Sequence, residues 1–239
     1  DIIMAFDECP PGQADEKTVK RAVDRTTRWI EECRAFLNEN ESLYDWTQML
    51  FPIVQGGIFP NLRKESACSL IPYADSGMAI GGLAVGEEKN AMFETIHLMD
   101  SLLPKDQPRY LMGVGRPTDL VKSVQSGIDM FDCVLPTRNA RNGQLFTSKG
   151  IINIGNKIHK ESFQKLDSDC GCYTCEHFSR SYLRHLFNIK EVLGLRLATI
   201  HNLTYYMTLM ETIRKNIKSE CFSSWSNAYL SEMADHKGM

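Results

Sequence analysis

Short apolar runs alternate with stretches of helical periodicity along the first half of the chain, and this alternation constrains the fold more than any other feature. The runs are too continuously apolar to leave one face in water, which is typical of parallel strands covered by helices. Both a (β/α)₈ barrel and a doubly wound sheet fit this α/β pattern. The runs are Ile2–Phe6, Phe51–Val54, Met78–Ile80, Arg109–Met112 and Ile128–Phe131.

Helices are predicted where apolar residues recur at three- and four-residue spacing. The first pattern places Val19, Val23 and Ile30 on one face. The helical patterns cover residues 16–37, 61–71, 87–102, 117–125, 180–193 and 202–217. The face of the last pattern that we expect to be buried comprises Leu203, Tyr206, Met207, Met210 and Ile213.

Each apolar run ends in polar residues or glycines, and in parallel α/β folds the functional groups gather at the carboxyl ends of the strands. Taken singly, a glycine here is explained by turn geometry and an acid by helix capping. Polar residues or glycines at all five strand ends favour a functional site at one edge of the sheet. The residues are Asp7, Gln55, Gly81-Gly82, Gly113–Gly115 and Asp132.

Beyond Arg141 the alternation stops, and residues 144–154 are typical of a hairpin that precedes a cysteine cluster. Cys170, Cys172 and Cys175 lie within six residues, and His201 follows later in the chain. Three thiolates and one neutral imidazole form a closed tetrahedral set for one Zn²⁺ ion, which indicates a structural metal site.

Two other histidines, His177 and His185, are rival fourth ligands. The alternative to a metal site is a group of ordinary buried thiols. Three cysteines so closely spaced favour the metal site.

Composition excludes some classes of protein. The chain has 239 residues, of which 43% are hydrophobic and 24% are charged, as in ordinary globular domains. No apolar run is long enough to span a bilayer, so we expect no membrane partner. Scattered thiols beside a zinc cluster favour a reducing, cytoplasmic location.

Charge is unevenly distributed along the chain. The net charge is −3, yet the stretch from Lys105 to Arg196 contains 14 Lys and Arg residues against 9 Asp and Glu residues. A local basic surplus is what docking to phosphate groups requires, although a solvated charged surface would have the same composition.

The segment from Asp129 to Gly143 combines a carboxylate at a strand end with a Pro- and Gly-containing loop that carries Arg138 and Arg141. A carboxylate such as Asp132 can attack the anomeric carbon of a sugar and hold the glycosyl group until an acceptor arrives. Nearby arginines can bind phosphates through two hydrogen bonds each.

These motifs closely resemble those of the tRNA-guanine transglycosylases, also called queuine tRNA-ribosyltransferases. The resemblance extends in family order across nearly the whole chain. The matching stretches are Phe6–Cys9, Val54–Gly57, Gly81–Glu87, Tyr110–Gly115, Asp132–Arg138 and the Cys-x-Cys-x-x-Cys…His cluster.

The resemblance implies a (β/α)₈ barrel with a zinc subdomain inserted before the last helix. Residues 1–142 would form the last five strand–helix units, 143–201 the zinc insert, and 202–239 the final barrel helix and tail. On this view the first three units are absent from the sequence.

The resemblance also implies a role for each strand-end residue. Asp132 aligns with the nucleophile that displaces the wobble guanine from tRNA and forms a covalent intermediate. Asp7 aligns with the group that reads the N1–H and amine edge of the base. Gln55 and the N–H of Gly82 align with the groups that receive the carbonyl oxygen of the base. The remaining pocket residues are Leu83 and Ala84, near the 7-substituent, and Met112, which stacks on the base.

Two segments align with RNA-binding segments of the family, and one cluster aligns with its zinc ligands. The backbone-contacting segment comprises Gly113, Val114, Gly115, Arg116, Pro117, Thr118 and Asp119. The segment that reads the wobble region comprises Thr137, Arg138, Asn139, Ala140 and Arg141. The zinc ligands are Cys170, Cys172, Cys175 and His201.

Two residues favour the bacterial subtype. Cys9 follows Asp-Glu, and Val85 stands where the eukaryotic enzymes have Gly. The implied base is 7-aminomethyl-7-deazaguanine, and the implied substrates are the tRNAs for Asp, Asn, His and Tyr. The family relationship also implies a homodimer, to which the zinc region contributes.

One family feature has no counterpart in this sequence, namely the second catalytic aspartate of an early Ser-Asp-Ser-Gly-Gly-type motif. We therefore expect the 239-residue chain alone to be inactive or nearly so. The alternatives are a non-catalytic RNA-binding paralogue or accessory subunit, a zinc-stabilised assembly module, and an unrelated barrel glycosidase.

Overall fold

The computed structural model describes residues 1–42, 44–74 and 76–235. They form two compact units, one of residues 1–114 and 122–132, the other of residues 115–121 and the chain from Cys133 onward. No helix in the described ranges is sufficiently long and apolar to span a membrane.

Parallel strands form the centre of the first unit. The strands are β1 (Ile2–Met4), β2 (Met49–Phe51), β3 (Ile53–Val54), β4 (Met78–Ile80), β5 (Arg109–Leu111) and β6 (Met130–Phe131). β1 pairs with β2, and β3, β4, β5 and β6 form a four-stranded sheet in that order. Every pairing among these strands is parallel, which confirms the predicted α/β fold with a parallel sheet.

Pro52 alone separates β2 from β3, although the sequence predicts one strand there. Proline has no N–H to donate, so the hydrogen-bond ladder is interrupted at this residue. The Pro52 carbonyl still accepts a hydrogen bond from the N–H of Ala79 at 2.8 Å. The segment from Met49 to Val54 therefore contacts β1 through one half and β4 through the other.

Helices follow the strands of this unit as predicted. They are α1 (Glu16–Glu39), α2 (Pro60–Leu70), α3 (Lys89–Leu102) and α4 (Pro117–Gln125), and α4 continues from one unit into the other. The Asp15 side chain caps α1 by accepting from the N–H of Thr18. Val19, Val23 and Ile30 of α1 are buried, as their spacing predicts.

The second unit contains a hairpin and several helices. These are β7 (Gln144–Thr147) with β8 (Gly150–Asn153), and the helices α5 (Leu135–Arg141), α6 (Tyr173–His177), α7 (Arg180–Asn188), α8 (Val192–Lys218) and α9 (Phe222–Asp235). The hairpin is antiparallel, as predicted. The core of the second unit includes Leu145, Ile154, Leu183 and Leu197.

Four predictions for this unit are wrong. The helix predicted over 180–193 ends at Asn188, because the chain turns before α8. The segment around Thr137–Arg141 is the helix α5, with Pro136 in its first turn, whereas a loop was expected. α8 begins at Val192 instead of Asn202, so His201 lies inside a helix. Leu203 and Met207, expected on the buried face, are 42% and 64% exposed.

The predicted domain boundaries after residues 142 and 201 stay predictions. α8 runs without interruption through the second of them.

Candidate active site and metal centre

Asp132 follows β6 at the carboxyl end of the parallel sheet. Its Oδ1 atom accepts hydrogen bonds from the Tyr110 hydroxyl at 2.7 Å and from the backbone N–H of Gly113 at 2.9 Å. Both donors belong to the neighbouring strand β5 or to the turn after it. Within the described ranges, Oδ2 accepts no hydrogen bond. The carboxylate is therefore oriented with one oxygen available for nucleophilic attack.

Tyr110 is a site residue that the sequence reasoning missed. Burial, and then its hydrogen bond to Asp132, raise the pKa of Tyr110 to about 12. The phenol therefore remains a donor at neutral pH. Its position two residues before Met112 was the available signal, since side chains two apart in a strand point to the same side.

Asp7 and Gln55 lie after β1 and β3 and contact each other directly. Gln55 Nε2 donates to Asp7 Oδ2 at 2.6 Å, and the Gln55 backbone N–H donates to the Ser66 hydroxyl at 3.1 Å. Gln55 is fully buried, and its Oε1 has no hydrogen-bond partner in the described part of the chain. A buried acceptor of this kind costs free energy unless a bound group donates to it.

Gly82 allows the loop after β4 to approach Gln55. It adopts a φ of +66°, and a Cβ placed on it would lie 2.4 Å from Gln55 Oε1. Only glycine satisfies both the left-handed backbone and the close approach. The structure thus brings together three of the residues predicted to contact the base.

Arg63 of α2 bonds backbone carbonyls at this edge of the sheet. The sequence analysis did not identify it as a site residue. Its side chain is fully buried and donates to the carbonyls of Val54 at 2.9 Å, Gly57 at 2.8 Å and Gly82 at 3.3 Å. Burial lowers the pKa of Arg63 to about 10. Local periodicity gives no indication of a buried cation.

The loop after Gly82 has a strained backbone that Glu87 stabilises. Ala84 has a φ of +58°, which is unfavourable for a residue with a Cβ. The Glu87 carboxylate accepts from the N–H groups of Ala84 at 2.5 Å and Val85 at 2.9 Å. Glu87 was predicted to begin a helix, but α3 begins at Lys89.

Leu83, Met112 and Cys9 are the other predicted pocket and subtype residues of the first unit. Leu83 is buried, and Met112 is half-buried. Burial of the Cys9 thiol, and then the charge of Asp7, raise the pKa of Cys9, so the thiol stays protonated.

The segments predicted to bind RNA differ in exposure. Arg116, Arg138 and Arg141 are exposed in the second unit and can reach phosphates. By contrast, the side chains of Asp119 and Ala140 are buried. Gly113 and Val114 belong to the first unit, where the N–H of Gly113 is bonded to Asp132. Pro117 is buried, and Thr118, Thr137 and Asn139 are half-buried.

Cys170, Cys172, Cys175 and His201 converge in the second unit, with ligand atoms within 4.8 Å of one another. The distances from His201 Nδ1 to the three Sγ atoms are 3.7, 3.6 and 3.3 Å. A tetrahedron with ordinary Zn–S and Zn–N bond lengths has edges of roughly 3.5–3.8 Å. The donor set and its spacing therefore fit one Zn²⁺ ion.

An outer contact of His201 fixes the tautomer that metal binding requires. His201 Nε2 lies 2.6 Å from the Phe146 carbonyl, so Nε2 carries the hydrogen and Nδ1 presents its lone pair to the cluster. Between two of the ligands themselves, the hydrogen bond that is the largest effect lowering the pKa of Cys172 is also the largest effect raising the pKa of Cys175. The rivals His177 and His185 both stand outside this group, and His177 contacts the ring of Tyr173.

Together these features define an α/β protein with a parallel sheet, an oriented carboxylate after strand β6, and a Cys₃His cluster that could hold a metal ion. The family model of queuine tRNA-ribosyltransferase matches residues 1–235. The chain therefore belongs to the queuine tRNA-ribosyltransferase family.

Curated relatives support this assignment. A queuine tRNA-ribosyltransferase of Halothermothrix orenii is 48% identical over 230 residues, which cover 96% of this chain and 60% of the relative. One from Thermoanaerobacter sp. (strain X514) is 50% identical over 92% of this chain and 57% of its own length. One from Chromohalobacter salexigens is 46% identical over 100% of this chain and 62% of its own length. The chain thus spans about 60% of the length of the relatives it matches.

Proposed function

We propose that the protein is a glycosyltransferase of the pentosyltransferase type, a tRNA-guanine transglycosylase of queuosine biosynthesis. It exchanges the wobble guanine of the tRNAs for Asp, Asn, His and Tyr for 7-aminomethyl-7-deazaguanine. The observation that carries this proposal is the orientation of Asp132 by Tyr110 and Gly113, with Oδ2 left without a partner among the described residues.

In the proposed first step, Asp132 Oδ2 attacks C1′ of the wobble ribose. The C1′–N9 bond breaks, guanine leaves with its bonding electron pair and takes up a proton, and an aspartyl–tRNA ester remains. In the second step, N9 of the incoming base displaces Asp132 and loses its proton. Two displacements give net retention at C1′.

The base would bind between the Asp7–Gln55 pair and the loop after β4. The ionised Asp7 carboxylate matches the N1–H and amine donors of the base, while Gln55 and the Gly82 N–H would receive its carbonyl oxygen. Leu83 and Ala84 would lie near the 7-substituent, and Met112 would stack on the ring. Gln55 Nε2 would donate its second hydrogen to that carbonyl oxygen, and the unpaired acceptor Gln55 Oε1 supports a ligand that also carries a donor group.

Cys9 and Val85 support the smaller aminomethyl base over bulky queuine. Val85 is 38% exposed beside the strained Ala84, so its side chain stands at the loop surface. A Gly at position 85 would open additional room.

The strand order supports the barrel. β1 pairs with β2, β2 and β3 are joined through Pro52, and β3 to β6 pair in sequence order, without the reversal that defines a doubly wound sheet. We propose that residues 1–142 form five units of a (β/α)₈ barrel, 143–201 the zinc insert, and 202–239 the last barrel helix and tail.

Exposed basic residues support tRNA as the partner. Arg116, Arg138 and Arg141 would bind the anticodon-loop backbone and the wobble region as parts of segments 113–119 and 137–141. The Cys₃His site would hold a structural Zn²⁺ ion. A tRNA substrate also implies a cytoplasmic location.

A homodimer is proposed through the zinc region. Phe163, Tyr173 and Tyr182 are 83%, 55% and 40% exposed there, and Tyr182 stacks on Phe178 with ring centroids 5.5 Å apart. Exposed aromatic residues of this kind are typical of protein interfaces.

The proposal is tested by incorporation of labelled guanine into tRNA for Tyr, using the protein at the full length of its relatives. Wild type should exchange guanine, and Asp132→Asn should not. Zinc-loaded wild type that binds tRNA without exchange would instead support the alternative, a non-catalytic RNA-binding paralogue. Salt-independent hydrolysis of a neutral sugar would favour a glycosidase.

A further inference from the structure

Helix α8 carries three buried polar residues within two successive turns. His201 and Asn202 are fully buried, and Tyr206 is 5% exposed. Burial of polar side chains costs free energy unless each is hydrogen-bonded, so their partners indicate what the helix holds in place.

Asn202 connects α8 to two other elements of the second unit. Its Nδ2 donates to the carbonyls of Pro136 in α5 at 2.9 Å and of Gln144 in β7 at 3.0 Å. Its Oδ1 accepts from the N–H of Phe146 at 3.1 Å. His201 bonds the carbonyl of the same Phe146, so consecutive residues of α8 hold both polar groups of one residue in β7.

Tyr206 lies one helical turn after Asn202 and holds Gly115. Its hydroxyl donates to the Gly115 carbonyl at 2.6 Å, and its ring meets that of Phe146 edge-on at 5.2 Å. A Cβ on Gly115 would lie 2.1 Å from Cys133 Sγ, so the backbone there is closely confined.

We infer that Asn202 and Tyr206 are positioning residues for tRNA recognition. They fix the backbone that leads into the exposed Arg116 and the start of the helix that presents Arg138 and Arg141. Both act through the backbone, without touching the RNA. The inference rests on the proposed function. It means that α8, the helix that carries the metal ligand His201, also holds in place the segments that present the arginines.

The physical basis is the geometric demand of bidentate phosphate contacts. An arginine gains two charge-assisted bonds only when its backbone places the guanidinium plane correctly. Without the Tyr206 bond, the Gly115 carbonyl would keep the longer and weaker bond from Cys133 Sγ at 3.8 Å, which would allow Gly115, and with it Arg116, to shift.

The test compares Tyr206→Phe with Tyr205→Phe in the protein at the full length of its relatives. Tyr205 is a matched control, because it is on the same helix and its hydroxyl contacts that of Tyr229 at 3.0 Å instead of Gly115. Measured quantities are the Kd for tRNA for Tyr at several salt concentrations, the Kd for free guanine, and bound zinc.

We expect Tyr206→Phe to weaken tRNA binding by about fivefold to tenfold, since one hydrogen bond is lost. The slope of log K against log salt should become less steep by about one unit, which corresponds to the loss of one phosphate contact. The Kd for guanine and the zinc content should match those of Tyr205→Phe. Asn202→Asp removes two donors and should weaken tRNA binding further. If Asn202→Asp does not fold, the comparison of Tyr206→Phe with Tyr205→Phe decides the test by itself.

Equal tRNA affinity and salt slope in Tyr206→Phe and Tyr205→Phe would overturn the inference. So would equal weakening of tRNA and guanine binding, since that indicates general destabilisation. If the wild type exchanges guanine and Tyr206→Phe binds tRNA as Tyr205→Phe does, the positioning role is contradicted and the proposed function stands. Wild type that neither binds tRNA nor exchanges guanine overturns the proposed function as well.

Discussion

The Tyr110 hydroxyl lies 2.7 Å from Asp132 Oδ1 and orients the carboxylate that follows the next strand. Tyr110→Phe removes this bond and keeps the ring. Because hydrogen bonds to charged groups contribute about 1.5–3 kcal/mol, we expect kcat to fall roughly tenfold to a hundredfold. KM for the base should stay unchanged. Steady-state guanine exchange measures both, with Tyr73→Phe as the control, and unchanged kcat would contradict the role.

Titration of Tyr110 should depend on Asp132. The pKa of Tyr110 is raised to about 12 by burial and then by Asp132. Because this pKa is above the ordinary value near 10, its contribution to stability is complete below about pH 10 and is lost as the pH rises through about 12.

Asp132→Asn removes the negative charge and leaves the burial, so Tyr110 should ionise at a lower pH. Absorbance at 295 nm, taken as the difference between each protein and its Tyr110→Phe derivative, isolates this tyrosine. An identical midpoint in the wild-type and Asp132→Asn backgrounds would show that Asp132 does not influence it.

Glu87 should determine the shape of the loop that follows Gly82. Glu87→Ala leaves the N–H groups of Ala84 and Val85 without their acceptor and leaves Ala84 in an unfavourable backbone conformation. We expect the affinity for free 7-aminomethyl-7-deazaguanine to fall about tenfold, since two charge-assisted bonds are lost. Calorimetric titration measures this. Glu88→Ala is the control, because Glu88 makes no side-chain capping bond at the start of α3. Equal affinities in the two variants would contradict the role of Glu87.

Zinc should depend on His201 and not on the neighbouring histidines. His201→Ala removes the fourth ligand and should abolish stoichiometric zinc, measured by atomic absorption on dialysed protein. It should also destabilise the second unit strongly, since structural zinc sites contribute directly to folding. His177→Ala should retain one zinc per chain. Zinc retained in His201→Ala and lost in His177→Ala would reverse the ligand assignment.

The strands, most helices and the metal cluster could be predicted from the sequence because each depends on local pattern. A continuous apolar run locates β4, and apolar residues at helical spacing locate α1. The spacing of Cys170, Cys172 and Cys175 identifies a set of metal ligands. The start of α8 could not be predicted in this way. His201 and Asn202 are polar, so an amphipathic pattern treats them as exposed, whereas tertiary hydrogen bonds bury both.

The same reason explains the site residues that were missed. Arg63 and Glu87 stabilise backbone groups of other segments, and such contacts depend on the folded arrangement instead of sequence spacing. Leu203 and Met207 were expected to be buried because they are apolar, yet the buried stripe of α8 passes through Tyr206, Leu209 and Ile213.

Asp132 is proposed to form a covalent bond to tRNA during the exchange. The most direct measurement is a denaturing gel of the protein, at the full length of its relatives, after incubation with tRNA for Tyr at low pH. We predict a slowly migrating protein–tRNA band in the wild type that is absent from Asp132→Asn. An equally strong band in Asp132→Asn, or no band in a zinc-loaded wild type that binds tRNA, would contradict the assignment of Asp132 as the nucleophile.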